Sequence, residues 1–326
     1  MRIAVIGAGA MGSTFGAGLH RAGHDVTLID RNKAHIEAVR SNGLTFRDPS
    51  GEYTFDVSAT TEIADVADSD LALVLVDSNA TAEVAPRISG ALASGGFALT
   101  LQNGIGNLEV LARHLGPEKV LGGSTYISAV LIAPGHAHNT NIGGTELGEM
   151  KGGLTPRAEE TANLLSEAGF PARADVNVMG HIWSKFALNC ALNPLSALTG
   201  LRPGEVARQE DMSRLLDAVI AEILAVVEAK GISLPGPDLA RHIRQHAWQR
   251  YNRPSMLQHV EAARSTEIDS LNGALIREAD ALGVAVPVNR AIAALIRGLE
   301  VCARRGADVD ETLLEALAKG QKRALD

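Results

Sequence analysis

Hydrophobic residues in the first half of the chain come in short, dense runs. "RIAVIG" (2–7), "DVTLI" (25–29), "LALVLV" (71–76) and "FALTLQ" (97–102) are each bounded by Gly, Asp or Asn. Runs of this kind read as strands covered on both faces, as in a parallel sheet. Residues 10–22, 80–93 and 107–115 lie between them and carry helical periodicity. The alternation predicts an α/β fold with a doubly wound parallel sheet. Residues 44–58 read as an inserted hairpin, with turn residues in "RDPSG" (47–51). From about residue 176 the pattern changes to helical periodicity in 177–198, 210–229, 237–250, 256–282 and 288–304. "GFPARAD" (169–175) marks the seam, with a last short strand at its end. The expected division is a sheet domain over 1–172 and an all-helical domain over 173–326.

Composition narrows the function classes. The chain has 326 residues, 46% of them hydrophobic and 21% charged, which suffices for one large or two ordinary cores. A formal net charge of -8 gives no electrostatic support to a nucleic-acid role. No apolar run reaches the length of a membrane span, and no signal segment precedes the first strand, so a cytoplasmic protein is expected. Cys190 and Cys302 match no metal-ligand or redox spacing and read as free thiols; no metal is expected.

"GAGAMG" (7–12) follows the first strand and opens a helix, the context in which G-x-G-x-x-G binds a dinucleotide. Gly7 permits the tight turn, Gly9 lets a pyrophosphate approach the backbone, and Gly12 lets the helix pack on the sheet. Ala8, Ala10 and Met11 complete the loop, whose N–H groups would hold the phosphates. Asp30 lies eighteen residues beyond Gly12, where a carboxylate meets the ribose hydroxyls. Arg31 can stack on adenine or grip a 2′-phosphate, which Asp30 would repel. Asn103, in "LQNG" (101–104), lies at the end of a strand, where ligands bind in open α/β sheets. It can reach the nicotinamide ribose or the substrate, although Asn-Gly is also a common turn pair.

In "HIWSKFALNCALNP" (181–194), Lys185, Asn189 and Asn193 lie four apart, each about 40° around a helix from the last. They form one polar line on an otherwise apolar helix. An exposed face would look much the same, and Asn193 before Pro194 can mark a helix end. The apolar surround, however, suits a cleft wall, and Pro194 removes an N–H and clashes with the Cys190 carbonyl, so a kink there would help curve the helix around a pocket. A desolvated lysine beside a ketone is a plausible proton donor. Further on, "RPSMLQHVEAARSTEIDSLNG" (253–273) holds Ser255, a candidate cap for a helix starting near Met256. Glu267 and Asp269, two apart, would occupy different faces of that helix.

Together these residues resemble the ketopantoate reductase family (2-dehydropantoate 2-reductases). The likeness runs from "GAGAMG" through "QNG" to the W-x-K-x-x-x-N-x-x-x-N-P pattern (Trp183 to Pro194) and the SMLQ…R-x-TEID-x-x-NG pattern (Ser255 to Gly273). It implies a Rossmann domain followed by a helical domain, and NAD(P)H-dependent reduction of a 2-keto acid. By that likeness Lys185 is the general acid. Asn189, Asn193 and Ser255 are substrate ligands, Asn103 lies at the junction of cofactor and substrate, and Glu267 is a carboxylate of the reaction site. Ala129, in "GSTYISA", matches a cofactor-contact position.

The departures are informative. Asp77 stands where the family often has the lysine that binds the NADPH 2′-phosphate. With Asp30 it shifts the expectation toward NADH or dual use. His259 replaces a common aspartate and Pro203 an asparagine; both bear on which acid is reduced. Ketopantoate is the leading substrate. A related hydroxy-acid dehydrogenase and a non-catalytic dinucleotide sensor are the alternatives, the latter opposed by the presence of both Lys185 and Glu267. The long C-terminal helices would suit a homodimer interface, though packing within one chain explains them equally well.

Overall fold

The structure is a computed structural model and describes residues 1–305. By its contacts the chain divides into two compact units. The first comprises Met1–Ala187 with Val227–Leu239, and the second Leu188–Val226 with the described residues from Ala240 onward.

The first unit opens β1 (Arg2–Ile6), α1 (Ala10–Arg21), β2 (Asp25–Ile29), α2 (Lys33–Asn42), β3 (Leu44–Asp48), β4 (Gly51–Phe55) and β5 (Ser58–Thr60). There follow β6 (Ser69–Val74), α3 (Thr81–Ala91), β7 (Leu92–Thr100), α4 (Asn107–Leu115), β8 (Val120–Thr125), β9 (Ser128–Ala133) and β10 (His136–Asn141). β11 (Thr145–Glu149), α5 (Pro156–Glu167), β12 (Ala172–Ala174) and the first half of α6 (Val178–Thr199) complete it. Eight strands form the main sheet in the order β12-β11-β8-β7-β6-β1-β2-β5. Every pairing is parallel except β8 with β11.

Alternation along β1 shows why the sheet is apolar on both sides. Ile3 and Val5 belong to one core cluster, with Phe15, Ala17 and Leu19 of α1 and Ala162 and Leu165 of α5. Ala4 and Ile6 belong to the other, with Ala85 and Ile88 of α3 and Leu108 and Leu111 of α4. The expected doubly wound architecture is therefore present.

The hairpin expected over 44–58 is also present as β3 and β4, but it is not a solitary insertion. β3 pairs in parallel with β10, and β10 pairs with β9, giving a second sheet of order β4-β3-β10-β9. Leu44, Phe46 and Ala137 of this sheet join the core cluster on the α1 side. β10 gave no strand signal because "HAHNTN" carries no apolar alternation of its own.

The second unit is helical. It holds the rest of α6, then α7 (Pro203–Arg208), most of α8 (Glu210–Ala229), α9 (Leu239–Gln249) beyond its first residue, α10 (Ser255–Glu261), α11 (Asn272–Leu282) and α12 (Pro287–Arg305). Its core includes Leu192, Leu195, Val219, Ile223, Leu271, Leu275 and Ile296, all nearly inaccessible. A buried polar network lies among these apolar residues. Pro194 has no N–H, so the Cys190 carbonyl four residues earlier loses its helical donor. Asn272 Nδ2 takes that role at 3.1 Å and also donates to Asn289 Oδ1 at 3.0 Å. Asn289 Nδ2 in turn donates to the Glu222 carboxylate at 2.7 Å. That carboxylate also accepts the N–H groups of Val288 and Asn289 in the first turn of α12, where a negative group suits the helix dipole.

One helix of the sequence reading requires correction. Residues 256–282 are not continuous: α10 stops at Glu261 and α11 begins at Asn272. Ala263 adopts a left-handed φ of 50°, and the Arg264 N–H closes back on the His259 carbonyl at 2.8 Å, a helix-ending turn. Glu267 and Asp269 therefore lie in the connection and not on two faces of one helix.

Candidate active site

In the first unit, the turn after β1 is built as its glycines require. Gly7 has φ +98°, and a Cβ there would lie 2.4 Å from the Val76 backbone nitrogen. Gly7 and Ala8 both donate to the Ile29 carbonyl, at 2.8 and 3.0 Å, tying the loop to the end of β2. A Cβ on Gly12 would strike the Gly7 carbonyl at 2.0 Å, while one on Gly9 would meet nothing within 4 Å. The loop thus closes on the protein at Gly7 and Gly12 and opens outward at Gly9. α1 starts at Ala10 with no acidic residue in its first turn and no side-chain cap, which leaves early N–H groups of Ala10, Met11 and Gly12 available to an anion. These residues fit a dinucleotide pyrophosphate.

Asp30 follows β2 directly. Its Oδ1 accepts the Asn32 N–H at 2.8 Å, which fixes the carboxylate at the strand edge. Arg31 and Asp77 are exposed, and Asp77 begins a short 3-10 turn, Ser78–Ala80. Ala129 lies half-buried in β9, in the second sheet rather than the one that carries the glycine loop.

The structure joins Asn103 and Lys185, which are 82 positions apart: Lys185 Nζ donates to Asn103 Oδ1 at 2.8 Å. The ammonium also lies 5.9 Å from the centre of the Tyr126 ring, a distance at which the negative ring face still attracts a cation. Burial, and secondarily the charge of Glu146, pushes the Tyr126 phenol up to about 12. The phenol therefore stays neutral beside the lysine over the whole physiological range. Tyr126 had no sequence signal beyond its place in "GSTYISA".

Asn103 is held by a closed network under its loop. Its carbonyl accepts from Ser78 Oγ at 2.6 Å and from Asn107 Nδ2 at 3.0 Å. Asn107 Nδ2 also reaches Ser78 Oγ, and Asn107 Oδ1 accepts from Thr81 Oγ1 at 2.8 Å. Gln102 Nε2 donates to Thr81 Oγ1 at 2.8 Å and to the Val76 carbonyl at 2.6 Å, while its Oε1 accepts from Thr100 Oγ1. Each donor and acceptor named here finds a partner without conflict. The loop turns through left-handed glycines, Gly104 (φ +87°) and Gly106 (φ +91°). The polar residues of 100–107 thus serve to aim one amide, which the Asn-Gly pair alone did not disclose.

The remaining candidates belong to the second unit. Asn189 is half-buried and Asn193 buried, at four-residue intervals on α6. The helix runs on through Pro194 to Thr199, so Asn193 does not mark its end. Ser255 is exposed and is the first residue of α10, not its cap; that position is taken by Pro254, whose extended ψ of 155° leads into the helix. Glu267 is half-buried, whereas Asp269 is exposed and paired with Arg297 at 2.7 Å. His259 is half-buried on α10, and Pro203 is buried at the start of α7, the position proline favours. Both cysteines are free, and among the described residues no cluster suits a metal ion.

Comparison with known proteins identifies the family. The family model "Ketopantoate reductase PanE/ApbA" matches residues 3–152, and its C-terminal counterpart matches 177–300. A 2-dehydropantoate 2-reductase of Archaeoglobus fulgidus is 33% identical over 92% of this chain and 98% of its own. A ketopantoate reductase structure from Ralstonia eutropha JMP134 superposes with a TM-score of 0.86 at 35% identity, covering 93% of this chain and all of that one. D-mandelate dehydrogenase with NADH and anilino(oxo)acetate also gives 0.86, at 27% identity and the same coverage. The chain belongs to the ketopantoate reductase family.

Proposed function

We propose that this protein catalyses the NAD(P)H-dependent reduction of a small 2-keto acid to the 2-hydroxy acid, with 2-dehydropantoate to pantoate, a step toward pantothenate and coenzyme A, as the leading reaction. The observation that carries the reading is the 2.8 Å contact of Lys185 Nζ with Asn103 Oδ1. It holds a proton donor against an amide at the C-terminal edge of the main sheet, where open α/β folds bind ligands.

Residues up to about 172 would hold the dinucleotide, through the glycine loop, Asp30, Arg31, Asn103 and Ala129. Those beyond would supply Lys185, Asn189, Asn193, Ser255 and Glu267 to the substrate. The bound dinucleotide supplies a hydride to the ketone carbon. Lys185 stabilises the negative charge that grows on the ketone oxygen and delivers a proton from Nζ. Asn103 fixes the direction of that ammonium, and Asn189, Asn193 and Ser255 orient the carboxylate and hydroxyl ends. Asp30 and Asp77 oppose a 2′-phosphate and only Arg31 favours one, so the reading extends to NADH or dual cofactor use. A cytoplasmic enzyme, acting as a homodimer or monomer, fits this role.

A second reading, reduction of a different small keto acid, draws support from the D-mandelate dehydrogenase likeness and from His259 and Pro203. Mixing the protein with NADH or NADPH and a panel of 2-keto acids separates them. Loss of the reduced-nicotinamide absorbance is expected with 2-dehydropantoate. A strong preference for an aromatic keto acid would favour the second reading, and no loss with any acid would leave only a dinucleotide sensor.

A further inference from the structure

The glycine-rich loop is braced from behind by a side chain that no motif marks. His35, on α2, is 1% exposed, and Ser13, on α1, is fully buried. The backbone N–H of Gly135, in the turn between β9 and β10, donates to His35 Nδ1 at 3.0 Å. A backbone N–H can only donate, so Nδ1 carries no proton and the hydrogen of the neutral ring sits on Nε2. Nε2 lies 3.1 Å from Ser13 Oγ, so the imidazole donates and the hydroxyl accepts. The hydroxyl then directs its own hydrogen to the Ala8 carbonyl, 2.8 Å away. One unambiguous donor thus assigns every hydrogen in the chain. Burial holds the His35 imidazole below its usual range against the opposing pull of Asp30, in keeping with a neutral ring.

The far end of this chain bears on the loop. The described residues contain no cis peptide bond, so the carbonyl of Ala8 and the N–H of Gly9 point in opposite directions. Pinning the carbonyl toward Ser13 turns the Gly9 N–H away from that contact, at a residue where an added Cβ would meet nothing within 4 Å. We infer that His35 is a positioning residue for the dinucleotide: through Ser13 it holds the Ala8–Gly9 peptide in the orientation that presents the Gly9 N–H to the pyrophosphate. The second sheet gains a role by this route, because its Gly135 N–H selects the tautomer. The inference rests on the reading of residues 7–12 as the cofactor loop.

The test uses the full chain and titrates NADH and NADPH by cofactor fluorescence alongside steady-state kinetics. Ser13→Ala removes the last link. His35→Asn keeps an acceptor for Gly135 but is too short to reach Ser13. Both should bind the reduced dinucleotide about three- to tenfold more weakly, the loss expected for one hydrogen bond. Turnover at saturating cofactor and KM for the keto acid should stay within about twofold of the parent. His35→Gln, whose amide nitrogen can replace Nε2, should keep most of the affinity. A purely structural role would lower the melting temperature and leave the dissociation constant of the folded protein alone. That outcome, seen in Ser13→Ala, overturns the inference. Gly9→Asp distinguishes the two levels. If it abolishes binding while Ser13→Ala and His35→Asn do nothing, only the role of His35 fails. If it leaves binding intact, the loop reading fails and the inference falls with it.

Discussion

The Asn272–Cys190 contact makes a quantitative prediction, because proline chemistry explains why it exists. Asn272→Ala removes two hydrogen bonds, to the Cys190 carbonyl at 3.1 Å and to Asn289 Oδ1 at 3.0 Å. Both acceptors lie in a core where Asn272 and Asn289 are wholly inaccessible. Each acceptor left unsatisfied costs about 1–3 kcal/mol, so the variant should lose about 2–6 kcal/mol. Pro194→Ala restores an N–H four residues after Cys190, which can reach that carbonyl along the helix. In the Asn272→Ala background this change should therefore recover about 1–2 kcal/mol more than it yields in the parent chain. The assay is equilibrium urea unfolding of the four proteins of the cycle, followed by circular dichroism and tryptophan fluorescence together. The cycle is read only where the two transitions coincide. A coupling energy within about 0.3 kcal/mol of zero would mean that the asparagine does not answer for the missing proline N–H.

Lys185→Ala should lower turnover about a hundredfold or more while leaving dinucleotide affinity near the parent value; unchanged turnover in single-cycle kinetics would remove the lysine from the chemistry. Asp30→Ala combined with Asp77→Lys should move the ratio of specificity constants toward NADPH, by about tenfold for one relieved phosphate repulsion and one new pairing; a fixed ratio would refute the cofactor argument. His246 is held down to about 4 by burial, with Arg250 and His242 adding repulsion. Its folded value lies below the unfolded one, so the unfolded chain takes up the proton first. Stability is then complete above about pH 6.5 and declines as the pH falls toward 4. His246→Gln should shrink that decline by about 1–2 kcal/mol after allowance for solvent screening, measured by urea unfolding across the interval.

Much of the fold was legible because local pattern and tertiary role coincide. Ile3, Val5, Leu71 and Leu73 lie on strands that are apolar on both faces, and Gly7 and Gly12 of the motif are forced by close backbone contacts. What stayed hidden depends on residues far apart in the chain. "HAHNTN" becomes a strand only because β3 and β9 flank it, and the end of α10 is set by one left-handed alanine. At the site, Lys185 and Asn103 were each visible, and their contact was not. Ser78, Thr81, Asn107 and Tyr126 carry no pattern of their own, since a hydroxyl that supports a carbonyl reads in sequence like any surface hydroxyl.

The parallel pairing of β3 with β10 has a consequence for how the chain reaches this state. Thr45 and His136 are partners across about ninety intervening residues, a long loop whose closure entropy must be met before the pairing returns any energy. During synthesis the hairpin of β3 and β4 therefore waits with an open strand edge until the region around residue 140 has emerged. Truncated products that stop short of β10 retain that edge, and they are the species from which self-association should begin.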